Sequence, residues 1–231
     1  MNVVDDKNLS IEVIRTNRKK TVSINISKGH IQVIVPEKTS DFKVKTLIKK
    51  RNLWIRKKLE EDAKKTPLKI KEYISGESFT YLGRNYRLKV YEGNKPEVKL
   101  IGGYLEVSYL KKSKNNSIKT MLINWYQDHA IKRLIEKTNR FAKIIGVNPK
   151  TISIRDYKSR WGACSSKGDI SYNWKIIIAP HHIVDYVVAH ELCHLKHPNH
   201  SLLYWKSVKH IIPNYQMCRD WLKYHRNELL L

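Results

Sequence analysis

The chain has 231 residues, 41% hydrophobic and 10% aromatic, enough apolar material for one large or two small folded domains and too much for a disordered polymer. Forty-five Lys and Arg against 21 Asp and Glu give a formal charge of +24, a field that attracts polyanions such as nucleic acid or nucleotides, although a lysine-rich surface is also simply well solvated. No run approaches the roughly 20 apolar residues of a membrane helix, the N-terminus lacks the pattern of a signal peptide, and three cysteines without paired spacing suit reduced thiols, so a soluble cytoplasmic protein is expected.

Residues 9–36 alternate apolar and polar side chains around "KGH", the pattern of paired strands. Residues 41–65 place apolar positions near helical spacing among many lysines and predict a basic amphipathic helix. Residues 70–110 return to short alternating runs broken by "SGES", "LGRN", "EGNKP" and "IGG", which read as turns between strands. The polar stretch "KKSKNNS" at 111–117 reads as a joint, dividing the chain into a β-rich basic region, 1–112, and a second domain, 113–231. A long helix is predicted over 118–145, closed by Gly146 and Pro149. Residues 151–180 then read as two or three strands turning at Gly162 and "SKGD", and the remainder as helices broken at Pro198 and Pro213. No internal repeat is evident.

The chemistry concentrates in "VVAHELCHLKHPNHS", residues 187–201. His190-Glu191-Leu192-Cys193-His194 is an H-E-x-x-H pattern. Four helical positions make about one turn, so His190 and His194 project from one face and can share a tetrahedral zinc ion. They and Glu191 fall at the edge of an apolar stripe formed by Val184, Val187, Val188, Leu192 and Leu195. Polar groups so placed carry a desolvation cost that a metal would offset. A catalytic zinc needs a third ligand and an open position. His197 and His200 compete for it. His197 precedes Pro198 and is pushed off helical geometry, whereas His200 follows a turn and can approach from a direction the helix cannot supply, so His200 is favoured. With three neutral imidazoles, zinc keeps its charge and acidifies a bound water. Glu191 can take that water's proton during attack on a carbonyl or phosphoryl centre.

The stretches "SRWGACSSKGDISYNWKIIIAP" (159–180) and "VVAHELCHLKHPNHSLLYW" (187–205) closely resemble the YgjP-like metallopeptidases, zincin-like proteins akin to the SprT group of DNA-associated metalloproteases. The resemblance runs through most of residues 117–226, and more loosely through "NRKKTVSINIS" and "YLGRNYRLKV". It implies an α+β zincin-like fold with one Zn2+, a helix carrying His190, Glu191 and His194, and His200 as third ligand. It also implies that "RWGACS" borders the substrate cleft, with Arg160, Trp161 and Asn173 as residues that shape it; Trp161 suits a core position equally well. His197 stands where metzincins have glycine, and Met217 makes a poor methionine turn, so that class is set aside. The following helix is expected to close the cleft through Leu203, Trp205 and Val208.

The expected function is a zinc-dependent hydrolase, a metallopeptidase acting on polypeptide. Two alternatives stand beside it: a metal-dependent nucleoside triphosphate pyrophosphohydrolase, which the resemblance also admits, and a basic nucleic-acid-binding protein with a structural metal. Glu191 argues against the last, since a structural site has no use for an unliganded carboxylate.

Overall fold

Strand alternation and helical spacing each deliver one apolar face, and those faces meet in two compact units, Met1–Thr66 and Pro67–Leu231. The computed structural model describes residues 2–6, 9–64, 70–110 and 114–231, excluding the side chains of 2–6, 9 and 114–117. The first unit contains β1 (Asn2–Asp6), β2 (Leu9–Thr16), β3 (Ser23–Ser27), β4 (His30–Pro36) and α1 (Asp41–Ala63). Strand order is β1-β2-β4-β3, with the central β2–β4 pair parallel and both outer pairs antiparallel. Alternate residues Ile11, Val13, Ile31, Val33 and Val35 meet Val44, Ile48 and Ile55, one to two turns apart on α1, to form its core. Ser40 caps α1, its Oγ accepting from the Lys43 amide.

The second unit opens with a further four-stranded sheet: β5 (Ser78–Tyr81), β6 (Arg84–Glu92), β7 (Glu97–Ile101) and β8 (Tyr104–Tyr109). The long helix α2 (Lys114–Ile145) follows and buries Leu122, Tyr126, Ala130 and Leu134. The three-stranded sheet comes next, formed by β9 (Thr151–Arg155), β10 (Gly162–Cys164) and β11 (Asp169–Asn173) in the order β10-β11-β9. A 3-10 segment, Trp174–Ile178, then leads into α3 (His181–Cys193), α4 (Leu202–Ile211) and α5 (Tyr215–Tyr224). The architecture is mixed α+β, as the sequence led us to expect. Among the described residues, no helix is long and apolar enough to cross a membrane.

Two expectations differ from what is observed. The compact units divide at 66/67, within residues 65–69 that lie outside the described set, and not at 112/113. Of the polar joint foreseen at 111–117, residues 111–113 lie outside the described set and 114–117 already belong to α2. The physical reason is that the β5–β8 sheet shares its core with the site-bearing elements: Phe79, Leu88, Leu105 and Val107 cluster with α2 and α3 side chains. The tip of its first hairpin is also tied down, the amides of Leu82 and Gly83 donating to the carbonyls of Ile177 and Ile178 at 2.8 and 3.2 Å. Gly83 has φ +80°, and a Cβ there would come within 2.7 Å of Pro180 Cα, immediately before α3, so no other residue fits without displacement.

The chain does contain a repeat, in topology and burial. The second sheet has order β5-β6-β8-β7 with its central pair parallel, reproducing the first, and each sheet is followed by a long helix. The hairpins joining third and fourth strands both turn on two residues of positive φ, Lys28–Gly29 and Gly102–Gly103, 74 positions apart. The same offset carries buried Ile31, Val33, Val44 and Ile48 onto buried Leu105, Val107, Ile118 and Leu122.

Candidate metal centre

Helix α3 is buried almost all round, with Ile183, Val184, Tyr186, Val187, Val188, Ala189, Glu191, Leu192 and Cys193 inside. A helix so enclosed delivers its polar side chains into a dry environment, which is what makes their chemistry unusual. His190 and His194, one turn apart, have ring centroids 5.1 Å apart and perpendicular planes. After α3 the chain turns through Pro198, and Ser201 Oγ caps α4 at the Tyr204 amide. That turn returns His200 to the first two rings: its centroid lies 5.1 Å from His190 and 4.7 Å from His194. The three residues can each offer a ligand nitrogen within 4.8 Å of the others. His200 Nε2 and His190 Nε2 are 3.3 Å apart, close to the roughly 3.3 Å edge of a tetrahedron with metal–nitrogen bonds of about 2.0 Å.

The opposite nitrogens are held from behind. His190 Nδ1 faces the Tyr186 hydroxyl at 3.4 Å and His194 Nδ1 faces the His197 carbonyl at 3.2 Å, leaving both Nε2 atoms turned towards the cluster. Tyr204, fully buried, stacks on His194 at 4.5 Å and donates its hydroxyl proton to the His190 carbonyl at 3.1 Å. Trp205 stacks on His200 at 5.3 Å and on Tyr215 at 5.2 Å. Burial, reinforced by the neighbouring histidines, holds His190 down at about 3, so it is a neutral donor across the physiological range. Burial also lowers His194, against the opposing pull of its bond to the His197 carbonyl. These are the nitrogen donors zinc prefers, and the residues present fit such an ion. His197, the competitor in the sequence, bonds Ser207 Oγ at 3.1 Å through its own ring and joins the cluster only through its carbonyl.

Glu191 is 6% exposed, and burial pushes its carboxyl up to about 8, with Arg160 opposing. It lies against β10: a Cβ on Gly162 would stand 2.6 Å from both Glu191 Cγ and Oε1. Gly162 is therefore not the turn residue anticipated from the sequence. It opens β10, and its missing side chain is the space the carboxylate occupies.

The cleft residues separate into different roles. Arg160 is exposed with its guanidinium over the Tyr157 ring at 5.7 Å, and its charge reaches Glu191. Trp161 is half-buried, packed against the core, with Arg226 above its ring. Asn173 is 2% exposed. Its Nδ2 donates to the carbonyls of Tyr157 and Arg160 at 2.8 and 3.2 Å, so it fixes the 157–160 loop from inside. Of the α4 residues expected to close the cleft, Trp205 meets His200, Leu203 is 62% exposed and Val208 lies in the core. Sequence reasoning missed Gly162, Tyr186 and Tyr204. Gly162 and Tyr204 act by approach across elements, for which local spacing carries no signal, whereas Tyr186 stands one turn before His190 on the same helix, where the four-residue spacing could have found it.

A family model described as "YgjP-like, metallopeptidase domain" matches residues 20–225. No curated protein matches the chain. Two solved structures are similar over part of it. One is the metallopeptidase zymogen of Pyrococcus abyssi abylysin, 22% identical over 38% of this chain and 90% of that one, with a TM-score of 0.36. The other is the metallopeptidase zymogen of Methanocaldococcus jannaschii jannalysin, 19% identical over 42% and 97%, also with a TM-score of 0.36.

Proposed function

The chain belongs to the YgjP-like metallopeptidase family and is a metal-dependent hydrolase, and we propose that it is a zinc peptidase in which His190, His194 and His200 hold one Zn2+ and Glu191 is the catalytic base. The carrying observation is the convergence of three imidazoles beside a buried carboxylate that no protein hydrogen bond among the described residues engages. Bound zinc would supply Lewis acidity, polarising a carbonyl and making water easier to deprotonate. Glu191 accepts the proton of the attacking water and returns it to the leaving amine. Gly162 leaves it room to do so. Tyr186 and the His197 carbonyl fix ring orientation, and Tyr204 braces two of the rings.

Peptide is favoured over nucleotide by the position of β10. It is the edge of its sheet, adjacent to Glu191, with main-chain groups available to pair with an extended substrate. The test is metal content and hydrolysis measured together. Wild type is expected to carry one equivalent of zinc and to cleave unfolded protein. His200→Ala should lose the metal, and Glu191→Gln should keep it yet lose hydrolysis. Retained cleavage in Glu191→Gln would refute the base assignment, and release of pyrophosphate from nucleoside triphosphates without peptide cleavage would move the reading to a nucleotide hydrolase.

A further inference from the structure

Three neutral imidazoles leave the charge of a divalent ion uncompensated, and the carboxylate next to them in the chain, Glu191, is buried against β10. Two guanidiniums add to that positive field. Arg160 is on the β10 side. Arg219, on α5, stands 4.5 Å over the Trp205 ring, the ring stacked on His200. Its charge is felt at His190, Tyr186 and Tyr204. Carboxylates elsewhere in this unit are matched to cations, as where Asp185 takes Lys137 and Arg140, and Asp156 takes Lys175. Among the described residues, neither Arg160 nor Arg219 is ion-paired, and Asp220, which lines the same 460 Å³ hollow as Gln216, Arg219 and Lys223, does not pair with Arg219.

An unpaired cation is unremarkable in a chain of charge +24; its placement is the informative part. A guanidinium laid on an indole has already lost much of its rotamer freedom, so it can receive an anion at smaller entropic cost than a free surface lysine, and in two-point geometry. The indole beneath it stacks on His200, so the guanidinium stands one aromatic ring away from the histidine cluster.

We propose that Arg219 is a specificity-determining residue that receives a substrate carboxylate close to the scissile peptide bond, so that the enzyme selects acidic polypeptide segments. This rests on the peptidase reading above. The carboxylate can come from an Asp or Glu side chain or from a free C-terminus, and matched peptides that are amidated or free at the C-terminus separate the two.

The experiment uses the zinc-loaded full chain and peptide sets differing only in Glu, Gln or Lys next to the cleaved bond. Wild type is expected to favour Glu over Gln by tenfold or more in kcat/KM. Arg219→Glu should abolish or invert that order in favour of Lys, and Arg219→Lys should keep part of it, each with one equivalent of zinc and an unchanged melting temperature. A merely structural role for Arg219 would not invert charge preference. Calorimetric binding of the uncleaved Glu and Gln peptides to Glu191→Gln and to Glu191→Gln/Arg219→Glu gives a readout without turnover. Acid-selective binding that depends on Arg219, without cleavage by wild type, would overturn the assignment of Arg219 as a determinant of cleavage specificity together with the peptidase reading, and leave Arg219 as a receptor for acidic peptide only. Cleavage with the same charge preference in wild type and Arg219→Glu would overturn the inference and leave that reading intact. Hydrolysis of nucleoside triphosphates with neither peptide cleavage nor acidic-peptide binding would overturn both.

Discussion

Replacing Glu191 with glutamine is expected to stabilise the metal-free protein at neutral pH and to leave it unchanged near pH 4.5. The carboxyl is 6% exposed and burial raises it from 4.5 to about 8. Between those values the folded chain keeps a proton that the unfolded chain has released. The native state therefore binds more protons, and stability falls as pH rises, by about 1.4 kcal/mol per unit. The contribution is absent below 4.5, reaches roughly 3 kcal/mol of destabilisation at pH 7, and levels off above about 8. Glutamine has nearly the same shape and no titration, so it removes the slope. His190 acts in the opposite sense, because its depressed value lets the unfolded chain bind more protons below 6.5, but that contribution is common to both proteins and cancels in their difference. For a unit of this size, 3 kcal/mol corresponds to roughly 6–12 °C in melting temperature. Thermal melts of wild type and Glu191→Gln in chelator, at pH 4.5, 6 and 7.5, measure the difference directly. Parallel curves would refute the reasoning. Adding zinc should shrink the gap at pH 7.5, since a divalent cation beside the carboxylate favours its ionised form.

Gly162→Ala puts a methyl group within 2.6 Å of Glu191 Cγ and Oε1. It should keep its zinc while kcat falls about a hundredfold with little change in KM, as a displaced general base requires; full activity would show that the carboxylate can move aside without loss. Gly83→Ala combines a positive φ with a 2.7 Å approach to Pro180 Cα, so a loss of about 2–3 kcal/mol is expected, read as a fall in denaturation midpoint at constant slope. All three cysteines are free: Cys193 is fully buried with its thiol pushed up to about 11, Cys218 is buried, and Cys164 is half-buried. Native-state alkylation at pH 8 followed by peptide mass mapping should therefore find Cys164 modified first and Cys193 protected; rapid labelling of Cys193 would mean that α3 opens far more readily than its enclosure implies.

What the sequence disclosed about the site was whatever lies within one helical turn or one loop. His190, Glu191 and His194 are set by the four-residue spacing of a single helix, and His200 by the short turn at Pro198, so local geometry was enough to choose it over His197. Tyr186 and the His197 carbonyl are equally local supports, but the others come from elsewhere in the chain. Tyr204 reaches His194 and the His190 carbonyl because α4 folds back across α3, and Gly162 meets Glu191 because β10 packs on that helix. The manner in which Asn173 acts was equally hidden, since its amide satisfies two carbonyls of the 157–160 loop from the interior.

The repeat was hidden for a different physical cause. A buried β position asks only for an apolar side chain of suitable volume, so isoleucine and valine in one copy stand opposite leucine and valine in the other, with Ile31 matched by Leu105 and Val33 by Val107. Selection on burial preserves pattern while identity drifts. The two helices then diverge because they meet different demands. In the second copy α2 carries a further buried face, Tyr126, Leu134 and Phe141, which joins the core shared with α3. At the matching offset α1 carries Asn52 and Glu60, side chains that suit water. The second helix is hydrophobic on two sides, and through that apolar surface the second sheet and the elements bearing the histidine cluster share one core, which lies wholly within the unit Pro67–Leu231.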